Sequence, residues 1–174
     1  PPMAKKKISL REFQESLVQR LTSAKAGQTS RALLGVRAGR DYWLLDLSDS
    51  GEIVPLLPLT GVPLTKPWFS GMANIRGTLY SVVDFSLFQG GEATPQNADS
   101  RLLIVGGRFG INSALLVNRT LGLRNIEQME PREVDADPRP WVGEQYSDPQ
   151  GNVWKRLNLR NLLGQPDFLE IGLS

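Results

Sequence analysis

From about residue 31 onward, short apolar runs alternate with clusters of turn-forming residues. The runs RALLGVRAG and YWLLDL meet at the turn-like Gly39-Arg40-Asp41, and SDSGE follows the second run. Many short strands with turn signals at close spacing are typical of an all-β barrel or sandwich. The pattern therefore predicts a mainly β protein over most of the chain.

The second half of the chain repeats this pattern with two predicted hairpins. In the first, RLLIV and FGINSALLV flank Gly106-Gly107-Arg108, where glycine supplies the positive φ of a tight turn. In the second, WVGEQY and NVWKRL flank the turn SDPQG. A short helix, LRNLL, is predicted between an Asn158 N-cap and Gly164.

A polar, breaker-rich connection at residues 89–100 predicts a boundary between two lobes. We expect lobe one at about 31–88 and lobe two at about 101–163, with a tail to residue 174. Together they form one domain, and residues 1–30 form an N-terminal extension.

The N-terminal extension carries the signals of an amphipathic helix over residues 9–26. Ser9 and Glu12 have the spacing of a capping box, and the helix is predicted to end at Gly27. Such a short helix needs a surface to lie against. That surface is either the chain's own domain or a partner, and the sequence leaves both open.

The composition argues against catalysis. The chain has no histidine and no cysteine, which excludes thiolate nucleophiles, Cys/His metal sites and a Ser-His-Asp triad. A carboxylate enzyme using a pair such as Asp46 and Asp84 stays as an alternative, but no motif places two acids across a cleft. We expect no metal and no cofactor.

Charge and hydropathy narrow the class of partner. Fourteen arginines and six lysines are scattered along a chain of net charge +2, which leaves a single-stranded nucleic-acid-binding β-barrel as an alternative. Aromatic content is only 7%, and the basic residues do not cluster beyond 5–7. No apolar run has the length of a membrane span or a signal peptide. We expect a cytoplasmic protein with no direct membrane insertion and no nucleic acid.

The most informative stretch is GMANIRGTLYSVVDF at residues 71–85. Its alternation predicts two strands joined at or near Gly77, where glycine lets the backbone turn sharply. Arg76 then stands at the corner. Its guanidinium either pairs within the chain, with Asp84 or Glu52, or forms charge-assisted bonds to a partner's carboxylate.

The run PLTKPWFSGMANIRGTLYSVVDF resembles the signature of the chemotaxis coupling-protein (CheW-like) family. The likeness extends over about 31–163, and RLLIVGGRFGINSALLVNRTLGLRNI resembles the family's second-lobe hairpin and the strand after it. Ser81 and Phe85 depart from the family's usual proline and leucine. The extension and the tail are more similar to the adaptors of type IV pilus (twitching motility) systems, the PilI type. The matching residues are Pro63, Pro67, Phe69, Gly71, Asn74, Arg76, Gly77, Val82, Val83 and Asp84.

This resemblance implies two small five-stranded SH3-like β-barrels packed side by side. It also implies a non-catalytic adaptor that couples a methyl-accepting receptor to a histidine kinase. One barrel docks on the CheW-like regulatory domain of the kinase, and a groove between the barrels accepts the helical tip of the receptor. The phosphorylated histidine belongs to the kinase, in keeping with the missing histidines.

Five residues are candidates for partner contacts by the same resemblance. Gly71 faces the kinase, flanked by Phe69 and Met72, and permits close backbone approach. Arg76 faces the receptor, together with Glu52.

Three further residues of the motif are expected to be structural, namely Asn74, Gly77 and Asp84. An asparagine at a corner usually bonds backbone. Trp68 is either a contact residue or part of the core. The remaining tryptophans are expected in the core, and they are Trp43, Trp141 and Trp154.

Overall fold

The computed structural model describes residues 32–132 and 137–169, and these form a mainly β structure. The predicted helix at 9–26 lies outside the described residues. The described strands are β1 Ala32–Ala38, β2 Asp41–Leu45, β3 Ser50–Pro55, β4 Phe69–Ile75, β5 Thr78–Asp84, β6 Arg101–Val105, β7 Ser113–Val117, β8 Arg119–Asn125, β9 Glu130–Pro131, β10 Val142–Ser147 and β11 Val153–Leu157. The described helices are α1 Phe85–Phe88, α2 Leu159–Leu163 and α3 Pro166–Leu169.

The described strands form two sheets, as a two-barrel fold requires. One sheet has the order β8-β1-β2-β11-β10-β9, and the other has the order β3-β6-β7-β5-β4. Pairing is antiparallel except between β2 and β11 and between β5 and β7. The mainly β fold with two sheets is confirmed, and the first sheet has six strands because the two-residue β9 adds to β10.

The two sheets do not divide the chain at residues 89–100, where we expected the lobe boundary. That segment connects α1, which follows β5, to β6, and both strands belong to the five-stranded sheet. The chain instead changes sheets after β2 and again after β7. The five-stranded sheet is thus one continuous insertion between strands of the six-stranded sheet. The expected lobes 31–88 and 101–163 each contribute to both sheets.

A bridge outside the named strands links the two ends of the five-stranded sheet. Thr60 follows β3, and it exchanges two backbone hydrogen bonds with Met72 of β4, with N···O distances of 2.9 and 2.8 Å. Strands β3 and β4 stand at opposite ends of the strand order. The bridge therefore curls the sheet into a ring, as expected for a small barrel.

Strands β6 and β7 are buried on both faces, which explains their continuous apolar sequences. Leu102 and Ile104 point into the five-stranded sheet's own core. Leu103 and Val105 point the other way, into a larger core shared with the six-stranded sheet, where they join Trp43. A third cluster lies within the six-stranded sheet. The core positions expected for three tryptophans are confirmed at Trp43, Trp141 and Trp154.

Local signals predicted several elements correctly. Both hairpins of the second half form, as β6–β7 and β10–β11. The side chain of Asn158 caps α2 by accepting from the Asn161 N–H at 3.0 Å, and Gly164 ends that helix. The short α1 was not predicted, because its sequence FSLF continues the apolar strand before it. None of the described helices is long enough for a membrane span.

A cluster centred on Arg139 ties the start of β2 to the end of α1. The guanidinium binds Asp137 through two N–H groups, both at 2.9 Å. It also donates to Asp41 at 3.1 Å and to Gln89 at 2.7 Å. Hydrogen bonding from Arg139 lowers the pKa of Asp137 from 3.8 to about 2. The pair therefore makes the folded state sensitive to acid.

Asp137→Asn is expected to lower the free energy of unfolding by about 2 kcal/mol near pH 6. The Asp137 side chain is only 15% exposed, so solvent screens the pair incompletely. Because the folded pKa is depressed, this stability is fully present above the unfolded pKa and is lost as pH falls through about 2. Urea unfolding of both proteins should show a gap that shrinks to about half by pH 3. A gap that does not change with pH would contradict this account.

Candidate functional site

The β4–β5 hairpin places Arg76 at an exposed corner, and the predicted turn at Gly77 is confirmed. Ile75 and Thr78 are the last paired residues of the two strands, so the turn has two residues. Their φ angles are +52° at Arg76 and +89° at Gly77. A two-residue hairpin turn with both φ positive has the hand that matches strand twist. Glycine adopts this geometry at no steric cost, but arginine does so rarely.

Asn74 braces the same turn from within the hairpin. Its side-chain oxygen accepts a hydrogen bond from the Gly77 N–H at 2.9 Å. The side chain is thus occupied with its own backbone, which is a structural role. This contact fixes the direction in which the turn presents Arg76.

Arg76 forms an ion pair with Glu52, one of the two internal partners that the sequence left open. The Nη2 of Arg76 donates a hydrogen bond to Oε1 of Glu52. The hydrogen bond lowers the pKa of Glu52 and raises the pKa of Arg76. The Arg76 side chain is 69% exposed and that of Glu52 is 37% exposed. Such exposed pairs contribute little to stability. Because both side chains are exposed, the pair is accessible to a partner.

Asp84 lies in a separate environment and does not reach Arg76. It is 3% exposed and accepts three hydrogen bonds, from Leu87 N at 3.2 Å, Thr94 N at 2.8 Å and Thr94 Oγ1 at 2.6 Å. These bonds cap α1 and anchor the loop that follows it. Asp46 binds Ser48 and Arg156 instead. The two carboxylates of the alternative enzyme site thus serve different structural contacts.

Gly71 makes its close backbone approach within the chain. Its φ is +124°, and a Cβ at this position would stand 2.6 Å from the Thr60 carbonyl oxygen. The Phe69 side chain is buried in the core. Met72 is only partly buried, and its backbone pairs with Thr60. Of the three expected kinase-facing residues, Met72 therefore has the most accessible side chain.

Four exposed apolar side chains lie on the two strands that carry Glu52 and the hairpin, or on the loop before β4. Ile53 follows Glu52 on β3, and Leu79, which is 55% exposed, is paired with Asn74 in the hairpin. Val62 and Leu64 lie on the loop before β4. Sequence reasoning missed all four residues, because exposure of an apolar side chain cannot be read from a single sequence. The run IVPLLPLTGVPLTKP at residues 53–67 contains four prolines, and it was the available signal for an exposed loop.

Trp68 is a packing residue. It is half-buried, and its ring meets that of Phe88 edge-on with the centroids 5.5 Å apart. Phe88 also contacts Trp141 and Phe168. Trp68 therefore joins an aromatic cluster that holds α1 and α3 against the shared core.

Two known proteins are similar to the chain in sequence. The chain is 28% identical over 124 residues to Protein PilI of Pseudomonas aeruginosa, a match that covers 63% of this chain and 69% of that protein. It is 26% identical over 132 residues to the chemotaxis protein CheW of Helicobacter pylori, covering 72% and 76%.

Solved structures give the same fold. The crystal structure of the scaffolding protein TtCheW from Thermoanaerobacter tengcongensis matches with a TM-score of 0.65 and 21% identity, covering 79% of this chain and 95% of that one. The CheW-like domain family matches residues 32–167. Since that match spans most of the chain, the protein belongs to the CheW-like domain family.

Proposed function

We propose that the chain is a non-catalytic cytoplasmic adaptor that couples a methyl-accepting chemoreceptor to a histidine kinase. The system is chemotaxis-like, and the PilI-type relative favours type IV pilus motility. The observation that carries this proposal is the CheW-like family match over residues 32–167. The lack of histidine in the chain supports it, because the phosphorylated histidine then has to reside in a partner.

The receptor contact is proposed at the Glu52–Arg76 pair. The same sheet carries two exposed apolar side chains, Ile53, which follows Glu52 on β3, and Leu79, which is paired with Asn74 in the hairpin. A helical receptor tip can bury apolar side chains on such a surface while a carboxylate meets Arg76. The planar guanidinium has donors beyond the one bound to Glu52, so it can hold both acids.

The kinase contact is proposed at the surface that leads into β4. Met72 is partly exposed there, and Val62 and Leu64 add apolar surface on the preceding loop, with Leu64 77% exposed. Gly71 and Phe69 act indirectly, since they fix how this segment lies on the sheet. An apolar surface of this kind suits the CheW-like regulatory domain of a kinase.

Arg76→Glu is expected to weaken binding of the receptor's cytoplasmic helical hairpin about tenfold or more. The substitution places two acids side by side and repels an acidic partner. Calorimetry with the purified chain measures the affinity, and thermal unfolding should shift by only a few degrees because the side chain is exposed. Arg160→Glu, an exposed arginine on α2, is the matched control and should bind normally.

The double variant Glu52→Arg/Arg76→Glu separates two roles of the pair. It restores an ion pair between the same positions but reverses the charge presented to a partner. If Arg76 contacts the receptor directly, binding stays weak in the double variant. Full recovery of binding would show that the pair only shapes the corner. Failure of the wild-type chain to bind either receptor or kinase would reject the adaptor function.

A further inference from the structure

One row of paired residues crosses the six-stranded sheet and ends in two adjacent arginines. The backbone register joins Arg119 of β8 to Arg37 of β1, Arg37 to Tyr42 of β2, Tyr42 to Trp154 of β11, and Trp154 to Tyr146 of β10. Directly paired residues present their side chains on the same face of a sheet. From β8 to β10, one face of the sheet therefore carries two arginines followed by a tyrosine, a tryptophan and a second tyrosine.

The aromatic part of the row is satisfied within the protein. Tyr42 and Trp154 stack with their ring centroids 4.9 Å apart, and Trp154 is 2% exposed. The indole N–H of Trp154 donates to Asp148 at 2.9 Å. Tyr42 and Tyr146 are partly exposed, but the buried Trp154 between them has its polar group satisfied. The arginine end is therefore the part of the row with charged groups to offer a ligand.

The arginine end lacks acidic partners among the described residues. Arg37 donates from Nε to the Gly39 carbonyl at 3.1 Å and lies 5.8 Å from the Tyr42 ring centroid. These contacts orient its guanidinium and leave the terminal nitrogens without a carboxylate. Arg119 and Arg40 are exposed, and their side chains make no hydrogen bond, ion pair or ring contact with any described residue.

Neighbouring basic residues of the same sheet, in contrast, form ion pairs with acidic residues. Lys155 pairs with Asp41 at 3.3 Å, and Arg156 pairs with Asp46 at 3.4 Å. Like charges placed directly opposite on adjacent strands destabilise a sheet. The Arg37–Arg119 pairing therefore has a cost that no described carboxylate offsets by direct contact, and an external anion bound to both would offset it.

A cavity next to these arginines provides room for a ligand. Its volume is about 750 Å³, and Arg37, Arg40 and Asn118 are among the residues that line it, whereas Arg119 is not. Two acids line it as well, Glu92 and Asp41, of which Asp41 is already paired with Arg139 and Lys155. Asn118 holds the β1–β2 turn in place, since its Oδ1 accepts from Gly39 N at 2.8 Å and its N–H donates to Arg37 O at 2.9 Å. The arginines are thus presented by a braced turn.

We propose that Arg37, Arg119 and Arg40 bind an acidic peptide segment of a partner protein. One carboxylate bridges Arg37 and Arg119, and a second reaches Arg40 across the mouth of the cavity. Planar guanidinium groups bind carboxylates bidentately, and two separated anchors suit a chain of acids better than a single small anion. The choice of a protein partner rests on the proposed adaptor function. This surface lies on the sheet that does not carry the Glu52–Arg76 pair.

The test uses a fluorescein-labelled decaglutamate peptide and the full chain, with fluorescence anisotropy at low salt. Arg37→Gln and Arg119→Gln are each expected to weaken binding about threefold to tenfold, and the double variant about thirtyfold. Arg160→Gln is the matched control and should stay within about twofold of wild type. No binding by wild type, or an equal loss in the control, overturns the proposal. So does pyrophosphate that binds the same arginines more tightly than the peptide.

A stability measurement excludes a merely structural role. Arg119→Gln removes a like-charge contact, so its melting temperature should equal or exceed that of wild type. A clear decrease would show that Arg119 supports the fold and would overturn the proposal. Peptide binding requires neither receptor nor kinase, so its failure is distinguishable from failure of the adaptor function.

Discussion

Replacing Gly71 by alanine is expected to lower the free energy of unfolding by about 2–4 kcal/mol. The φ of +124° disfavours any L side chain, and the new Cβ would meet the Thr60 carbonyl oxygen at 2.6 Å. That oxygen accepts the Met72 N–H at 2.8 Å in the backbone bridge, so it cannot move away without weakening that hydrogen bond. Urea unfolding followed by circular dichroism measures the loss.

Gly77→Ala is the matched control for this prediction. Gly77 also has a positive φ, of +89°, but no neighbouring atom lies within 4 Å of a Cβ built there. Only backbone strain applies, so we expect a loss of about 1 kcal/mol. Equal losses at the two positions would show that the Thr60 contact adds nothing.

The Gly71 result would also change how a loss of kinase binding in variants of this motif is interpreted. A Gly71 variant that fails to bind a kinase is expected to have lost the closure of its sheet, because Gly71 packs against Thr60 of its own chain. Met72, Val62 and Leu64 are better positions for testing the kinase contact, since their side chains reach the surface. Substitutions there change the surface without opening the bridge.

Contacts between residues close in sequence were predictable. The turn at Gly77, the hairpin across Gly106 and the Asn158 cap each depend on a few neighbouring residues whose backbone preferences decide the structure. The alternation of apolar and polar residues along the chain also predicted strands. These signals gave the mainly β class without any knowledge of which strands pair.

Contacts between distant residues were not predictable from the pattern alone. The parallel pairing of β2 with β11 joins Tyr42 to Trp154, and nothing local to either residue specifies the other. The polar segment at 89–100 reads as a boundary, although it is a loop between elements of one sheet. Composition marks where a chain leaves a strand, but it does not say which sheet the chain enters next.

In the candidate site, too, the local structure was predictable and the contacts between distant residues were not. The sequence placed Arg76 at a corner and offered Glu52 or Asp84 as its partner, and the choice depended on a helix that the sequence did not reveal. In VVDFSLF, the apolar residues after Asp84 continue the pattern of the strand. Only the structure shows that Asp84 caps α1 and is unavailable to Arg76.

Asp84→Ala is expected to lower the free energy of unfolding by about 3 kcal/mol or more. Asp84 is 3% exposed and its neighbour Thr94 is also buried. The substitution leaves the Thr94 N–H and hydroxyl without acceptors in a place that water does not reach, and it removes the cap of α1. Asp99→Ala, an exposed acid in the same loop, should stay within about 0.5 kcal/mol of wild type.

A double-mutant cycle with Thr94→Val isolates the contact between the two side chains. If the carboxylate and the hydroxyl interact as the 2.6 Å distance indicates, the two losses are not additive, and their coupling is about 1–3 kcal/mol. Urea unfolding of the four proteins gives the coupling directly. Additive losses would mean that Asp84 acts through the α1 cap and the Thr94 backbone alone. A large coupling would make Asp84 the residue that joins the end of β5 to the loop before β6, which explains how a buried acid can lie beside an exposed motif without taking part in binding.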